Sequence, residues 1–239
     1  MPAVLVHGVP DTPRLWDGVR SHLSRSDIVT PQLPGFDAPM PDGWGATKDE
    51  YADWLIAQIE AVGAPVDLVG HDWGSLLVQR VVSVRPDLIR TWAAGAATAD
   101  RKYVWHDMAQ MWQTPDVGEQ IMAAMNEETF VAALAPMVGH DVAVEMASHV
   151  TDDMKSCILS LYRSAVNVGE QWADQIDTIT VPGLVLWGAD DPYVIPEFGE
   201  RLAERTRARL VMFDDSGHWW PVTKPVEVAQ QLTTLWSSV

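Results

Sequence analysis

Cysteine is almost absent from this chain of 239 residues: Cys157 stands alone, so no intramolecular disulfide forms, and a reducing, cytoplasmic compartment is the expectation. Positive charge is scarce as well. Sixteen Lys and Arg face 33 Asp and Glu, and the formal charge of −17 argues against nucleic acid or an anionic membrane as partner. No apolar run approaches the roughly 20 residues that a membrane span requires. The start of the chain lacks the n- and h-regions of a signal peptide, since Met1 leads directly into a short apolar strand pattern. There is no internal repeat and no low-complexity tract, and the histidines lack HExxH or similar ligand spacing. Neither a metal nor a cofactor is therefore expected. Phe and Tyr are few, at four each, whereas there are twelve Trp, a set suited to an apolar pocket with occasional N–H donors.

What is present is enough for one large α/β domain with a sizeable core, at 47% hydrophobic and 21% charged residues. Strand patterns at 3–6, 27–30, 66–69, 91–95, 183–187 and 209–213 alternate with helical ones. The helix after Thr47 opens on a Thr47-x-x-Glu50 capping box and ends at Gly63. Such alternation predicts a mostly parallel sheet covered by helices on both faces. The pattern is helical only from residue 98 to 177, with breaks expected at Pro115, Pro136 and Gly139-His140. The economical division is a core of 1–97 and 178–239, with 98–177 inserted as a helical cap over the carboxyl ends of the strands, where open α/β sheets bind ligands.

The most informative stretch is Val66-Asp67-Leu68-Val69-Gly70-His71-Asp72-Trp73-Gly74. A β-branched run, two flanking glycines and a helical pattern form the layout of a nucleophile elbow, with one side chain exposed at a strained apex. The apex residue is Asp72 where serine is usual. A carboxylate needs no deprotonation at neutral pH and displaces a leaving group at saturated carbon, giving an alkyl-enzyme ester. That ester is hydrolysed at the carboxyl carbon of Asp72 itself, with a histidine activating water and an oxyanion hole facing the Asp72 side chain. Two later strands end in loops with the missing groups, Gly188-Ala189-Asp190-Asp191-Pro192 and Gly217-His218-Trp219. The order nucleophile, acid, histidine suits this type of fold, with His218 as base and a carboxylate fixing its tautomer. His7-Gly8-Val9-Pro10 ends the first strand and brings the Val9 N–H toward Asp72, to pair with that of Trp73 as an oxyanion hole. Each feature alone has a plain structural explanation, a strand-ending turn or a surface histidine; three in order at strand ends do not.

Together, His-Gly-x-Pro, Gly-His-Asp-Trp-Gly, Trp-Gly-x-x-Asp-Pro and Gly-His-Trp resemble the α/β-hydrolase-fold epoxide hydrolases and their relatives, the haloalkane dehalogenases. Fluoroacetate-type dehalogenases, with Arg where Trp73 stands, resemble the chain less. The resemblance spans nearly the whole core and implies Asp72 as nucleophile, His218 as base, Asp191 rather than Asp190 as its acid partner, and the Val9 and Trp73 amides as oxyanion hole. It also implies cap tyrosines that protonate the epoxide oxygen. Leu159-Ser160-Leu161-Tyr162-Arg163 is similar to the family segment carrying one of them, and Met154, Ile158, Leu161, Tyr162 and Ala165 share a helix face that turns Tyr162 inward. Tyr103 matches the second by position only; Tyr51 and Tyr193 lie outside the cap. His7, Pro10, Trp105, Trp112 and Trp219 are expected in the substrate pocket. The chain departs from the family in a short cap and in the lack of the first hairpin.

The expected activity is hydrolysis of a small apolar epoxide to a vicinal diol, with water as the second reactant and a homodimer as an open assembly. Haloalkane dehalogenase is the alternative. A halide needs N–H donors, and Trp73 with Trp105, Trp112 or Trp172 would supply them, while Val9 removes the version that uses Asn after His-Gly. A third reading, a ligand-binding protein without turnover, leaves no reason for Asp72, Asp191 and His218 to coexist.

Overall fold

The computed structural model describes all residues, 1–239. Six strands form one sheet in the order β2-β1-β3-β4-β5-β6, every neighbouring pair parallel. They are β1 (Ala3–Val6), β2 (Ile28–Val29), β3 (Val66–His71), β4 (Ile89–Gly95), β5 (Gly183–Gly188) and β6 (Arg209–Phe213). Parallel strands need crossovers, and helices supply them on both faces. One face carries α1 (Asp17–Ser21), and the opposite face α2 (Lys48–Val62) and α3 (Trp73–Val84).

The alternation of side chains along β1 shows why both faces fill. Val4 and Val6 join the core under α2 and α3, and Ala3 and Leu5 join the core on the other face. β2 is shorter than its sequence pattern, because only two of its residues pair with β1 at the sheet edge. A 3₁₀ turn over Pro13–Trp16, with Thr12 at its N-cap, leads directly into α1. The capping box of α2 is formed as expected: the Glu50 N–H donates to the Thr47 hydroxyl, and the Glu50 carboxylate accepts the Thr47 N–H at 2.9 Å.

Between β4 and β5 the chain makes six helices and no strand: α4 (Asp107–Gln113), α5 (Val117–Ala124), α6 (Glu127–Val138), α7 (His140–Ser148), α8 (Asp152–Ser164) and α9 (Val168–Ile176). Pro115 separates α4 from α5, and Gly139 separates α6 from α7. Pro136 does not break α6, contrary to expectation. It sits in the last turn, so the lost N–H removes a single bond just before the helix ends. At the entrance to this stretch Asp100 accepts from Arg201 at 2.9 Å and from Arg205 at 3.3 Å, both on α10 (Pro196–Thr206). The chain closes with α11 (Trp220–Thr223) and α12 (Pro225–Ser237), the latter packed with α1. No helix is long and apolar enough to cross a membrane.

Candidate active site

The site lies where the strands end. The β3–α3 turn puts Asp72 at φ +53°, ψ −121°, a strained backbone for a residue with a Cβ. The turn is tight because its glycines touch backbone: a Cβ on Gly70 would strike Gly74, and a Cβ on Gly74 would strike Val6 of the neighbouring strand. Gly8 is required in the same way, since its Cβ would occupy the place of the Asp72 carboxylate. That close approach lets the Val9 N–H donate to Asp72 Oδ1 at 2.7 Å. Trp73 is the first residue of α3, so its N–H has no intrahelical acceptor.

His218 follows β6 and faces Asp72 across the pocket floor, with Nε2 3.5 Å from Asp72 Oδ2. Its Nδ1 is 2.9 Å from Asp191 Oδ2. Asp191 Oδ1 accepts the backbone N–H groups of Tyr193 and Val194 at 2.9 and 3.0 Å, so the Asp-Pro turn and the histidine partner are one carboxylate. Asp190 is exposed, and only its backbone N–H is engaged, with Ser216. Burial alone would push the His218 imidazole toward neutrality. Asp191 and Asp72 outweigh it and hold the pKa up at about 10. Burial likewise opposes ionisation of Asp72, but His218 and the Val9 N–H bring its pKa below the ordinary value. The resting site is thus an imidazolium between two carboxylates.

Above Asp72 is a cavity of about 410 Å³ with a predominantly apolar wall. Of the expected pocket residues, Pro10, Trp105, Trp112 and Trp219 line it, together with Val9, Trp73, Tyr103 and Tyr162. Tyr162 is 3% exposed and is boxed by Trp73, Trp105 and Trp112, with ring centroids 5.3, 5.2 and 4.9 Å away. Its hydroxyl has the Trp73 indole alongside, without the full geometry of a hydrogen bond. Burial first, then the Asp72 charge, holds the phenol well above its usual pKa, so it stays protonated. The indole N–H groups of Trp73 and Trp112 also lack acceptors. The Tyr103 hydroxyl is turned toward backbone, donating to the Tyr193 carbonyl at 3.4 Å.

Two expectations need correction. His7 does not reach the pocket. Its Nε2 accepts the Leu33 N–H at 3.1 Å and its Nδ1 meets the Gly8 carbonyl at 2.9 Å, so it braces the turn that carries Val9. Trp172 is not a pocket residue either; it is buried under the cations of Lys48 and Arg80, each 5.3 Å from its ring.

Several participants were not singled out in the sequence. Tyr193 lines the cavity, its ring 5.1 Å from that of His218. Its place two residues after Asp191 was the available signal. His71 braces the His218 backbone from behind, with Nε2 2.8 Å from the His218 carbonyl. Asp11 accepts the Trp219 indole N–H at 3.3 Å, and burial together with the Asp72 charge raises its pKa to about 7. No cluster of His, Cys, Asp and Glu has the arrangement of a metal site.

A model of the Alpha/beta hydrolase family matches residues 3–231. The (E)-2-((N-methylformamido)methylene)succinate hydrolase of Acinetobacter baylyi is 23% identical over 235 residues, covering 97% of this chain and 88% of that protein. Among solved structures, a loop variant of a haloalkane dehalogenase from Bradyrhizobium elkanii superposes with a TM-score of 0.80 at 20% identity, covering 99% of this chain and 90% of its own. Epoxide Hydrolase A from Mycobacterium thermoresistibile superposes with a TM-score of 0.82 at 20% identity, covering 98% and 90%. At such identities the likeness establishes the fold and leaves the reaction to the residues of the site.

Proposed function

The chain belongs to the alpha/beta hydrolase family, and from that premise we propose that it is an epoxide hydrolase working through an ester on Asp72. Asp72 Oδ2 attacks an oxirane carbon, the C–O bond breaks, and the alkoxide takes a proton from the Tyr162 hydroxyl. Esterification removes the Asp72 charge, which weakens the hold of His218 on its proton; loss of that proton restores the phenol and leaves a neutral imidazole. His218 then takes a proton from water as the water oxygen bonds to the Asp72 carboxyl carbon. The Val9 and Trp73 N–H groups hold the oxyanion that forms on Oδ1. Collapse breaks the bond from that carbon to Oδ2, and the diol leaves with that oxygen and the proton from His218. Helices α4 to α9 act as a cap that keeps bulk water from the ester.

The observation that carries this reading is the Tyr162 phenol: buried on the pocket wall, within the field of Asp72, and with the Trp73 indole N–H beside its oxygen, so its own O–H proton is directed to no protein acceptor. A second reading, haloalkane dehalogenase, draws support from the unpartnered indole N–H groups of Trp73 and Trp112 in the same wall, since two such donors suit a departing halide.

Trapping separates the two. His218→Ala lacks the base, so alkylation of Asp72 proceeds and hydrolysis stalls. Intact-mass and peptide analysis after incubation with styrene oxide is expected to show an adduct of the full epoxide mass on Asp72. An adduct only from 1-bromobutane, with bromide released, selects the dehalogenase; no adduct from either removes Asp72 as nucleophile.

A further inference from the structure

His106 stands on the pocket wall at the start of α4 and has no part in the steps above. Its Nδ1 accepts the Ala109 backbone N–H at 3.3 Å, so an imidazole fills the N-cap position where Ser, Thr, Asp or Asn is usual. A ring nitrogen that accepts a hydrogen bond carries no proton, and the neutral ring then has its one proton on Nε2. Burial keeps the ring neutral, with its pKa below the ordinary value despite the pull of Asp72. The capping bond therefore fixes the tautomer.

Nε2–H finds no acceptor in the protein. The ring packs edge-on against Tyr193, centroids 5.0 Å apart, and Tyr193 in turn packs against His218 at 5.1 Å. The donor thus stands about one aromatic ring beyond the reacting atoms. The cavity wall around it contains no Lys, Arg or Glu, and Asp72 is its sole carboxylate. A charged substrate group would be stranded in such surroundings, whereas a neutral acceptor would find this N–H waiting. The cavity, about 410 Å³, is of the size that encloses drug-sized ligands, so the substrate reaches well past a three-membered ring.

We propose that Nε2–H of His106 is a substrate-selecting donor that receives an uncharged oxygen, ether or carbonyl, set a few bonds from the reacting carbon. The substrate class is then a bulky neutral epoxide bearing one such acceptor. Only the reacting group depends on the epoxide-hydrolase reading; the acceptor subsite does not.

The test compares 4-phenyl-2-butanone with its hydrocarbon isostere, 3-methylbutylbenzene, by quenching of tryptophan fluorescence in the wild type and in His106→Asn. Asn keeps the N-cap acceptor and withdraws the long-reaching N–H. The ratio of ketone to hydrocarbon affinity is expected to fall roughly tenfold in the variant, the scale of one net hydrogen bond. In the unmodified protein, ¹⁵N spectra of the His106 ring are expected to show the Nε2-protonated tautomer, with its proton shifting downfield on addition of the ketone and not of the hydrocarbon. An unmoved ratio, or a ring protonated on Nδ1, overturns the proposal. In parallel, terminal epoxides are turned over in matched pairs with one methylene replaced by an ether oxygen at successive chain positions. A changed affinity ratio without turnover of any epoxide would sustain the donor and reject the epoxide reading; turnover with an unmoved ratio would do the reverse.

Discussion

Oδ2 of Asp191 lies 2.9 Å from Nδ1 of His218, and this one distance sets which nitrogen of the ring faces the pocket. With Nδ1–H held by a carboxylate that is itself pinned by the Tyr193 and Val194 amides, Nε2 is left to face Asp72. The turn that makes Asp191 rigid also makes it a poor acceptor of substitution.

In Asp191→Asn, an amide N–H opposes the Nδ1 proton, favours the wrong tautomer and no longer stabilises the imidazolium. Single-turnover hydrolysis of the Asp72 ester is expected to slow by on the order of 10³ or more. Asp190→Asn alters an exposed carboxylate with no side-chain partner, and its rate is expected to stay within about twofold of wild type. The opposite ranking would move the acid role to Asp190.

How much of this was legible beforehand differs by residue. Asp72 was marked by its two glycines, because a tight strand-to-helix turn excludes a Cβ at both flanks and leaves that requirement in the sequence. Tyr162 was marked by the resemblance of Leu159–Arg163 to a family segment, and the apolar spacing turned it inward: Met154, Ile158, Leu161 and, just past the end of α8, Ala165 are buried with it. His7 was misassigned because a histidine ending a strand looks the same whether its ring meets a ligand or, as here, the Leu33 N–H. His106 and Asp11 carried no pattern of their own, and Tyr193 only its nearness to Asp191. Their positions follow from turns and from the packing of α4, which bring residues distant in sequence onto one cavity. Pro136 warned of a helix end correctly but two residues early, since its penalty in a last turn is small.

The charge state of His218 should change during turnover. In the resting site two carboxylates hold its pKa at about 10 against burial. Once Asp72 is esterified, one of the two charges is gone, so the pKa in the ester form lies lower. Hydrolysis needs the neutral ring, and its rate is expected to rise with pH through that lower value and then level off. Alkylation needs ionised Asp72, whose pKa is below 3.8, so it persists in acid. Rapid-quench mass analysis of wild type should therefore show more ester at pH 5 than at pH 8. Ester that accumulates with rising pH would contradict this order of events.

Asp11 should lower stability as the medium becomes less acidic. Its pKa is raised from 3.8 to about 7 in the folded protein, first by burial and then by Asp72. The unfolded chain releases that proton at lower pH, so the stability it contributes is complete below 3.8 and declines until about 7. The raised pKa of His218 acts in a separate window, its contribution present below 6.5 and lost as pH rises through about 10. Asp11→Asn keeps an acceptor for the Trp219 indole and cannot titrate. Its melting temperature relative to wild type is expected to climb between pH 4 and 7 and change less above. A difference that shrinks over that range would show that Asp11 is not held protonated.

The two cap tyrosines, expected as a pair from the family resemblance, differ in their surroundings. The Tyr162 hydroxyl has only the Trp73 indole N–H beside it, whereas that of Tyr103 already donates to the Tyr193 carbonyl at 3.4 Å. Charge builds on the epoxide oxygen as the ring opens, so a phenol hydrogen bond strengthens toward the transition state and lowers that barrier. Removal of one such donor costs about 2–4 kcal/mol by comparison with single oxyanion donors. Tyr162→Phe keeps the ring among Trp73, Trp105 and Trp112, so the fold and the pocket wall are preserved. Epoxide turnover is expected to fall by roughly 10² or more, through slower alkylation rather than slower ester hydrolysis. Tyr103→Phe should do less, since its hydroxyl must first leave the Tyr193 carbonyl to serve the substrate, and the double variant should be nearly inactive. Pre-steady-state measurement of both half-reactions checks each point. If Tyr162→Phe opens epoxides at the wild-type rate while halide release from haloalkanes outpaces it, the phenol has no role in departure of the leaving group, and the paired indoles of Trp73 and Trp112 take its place.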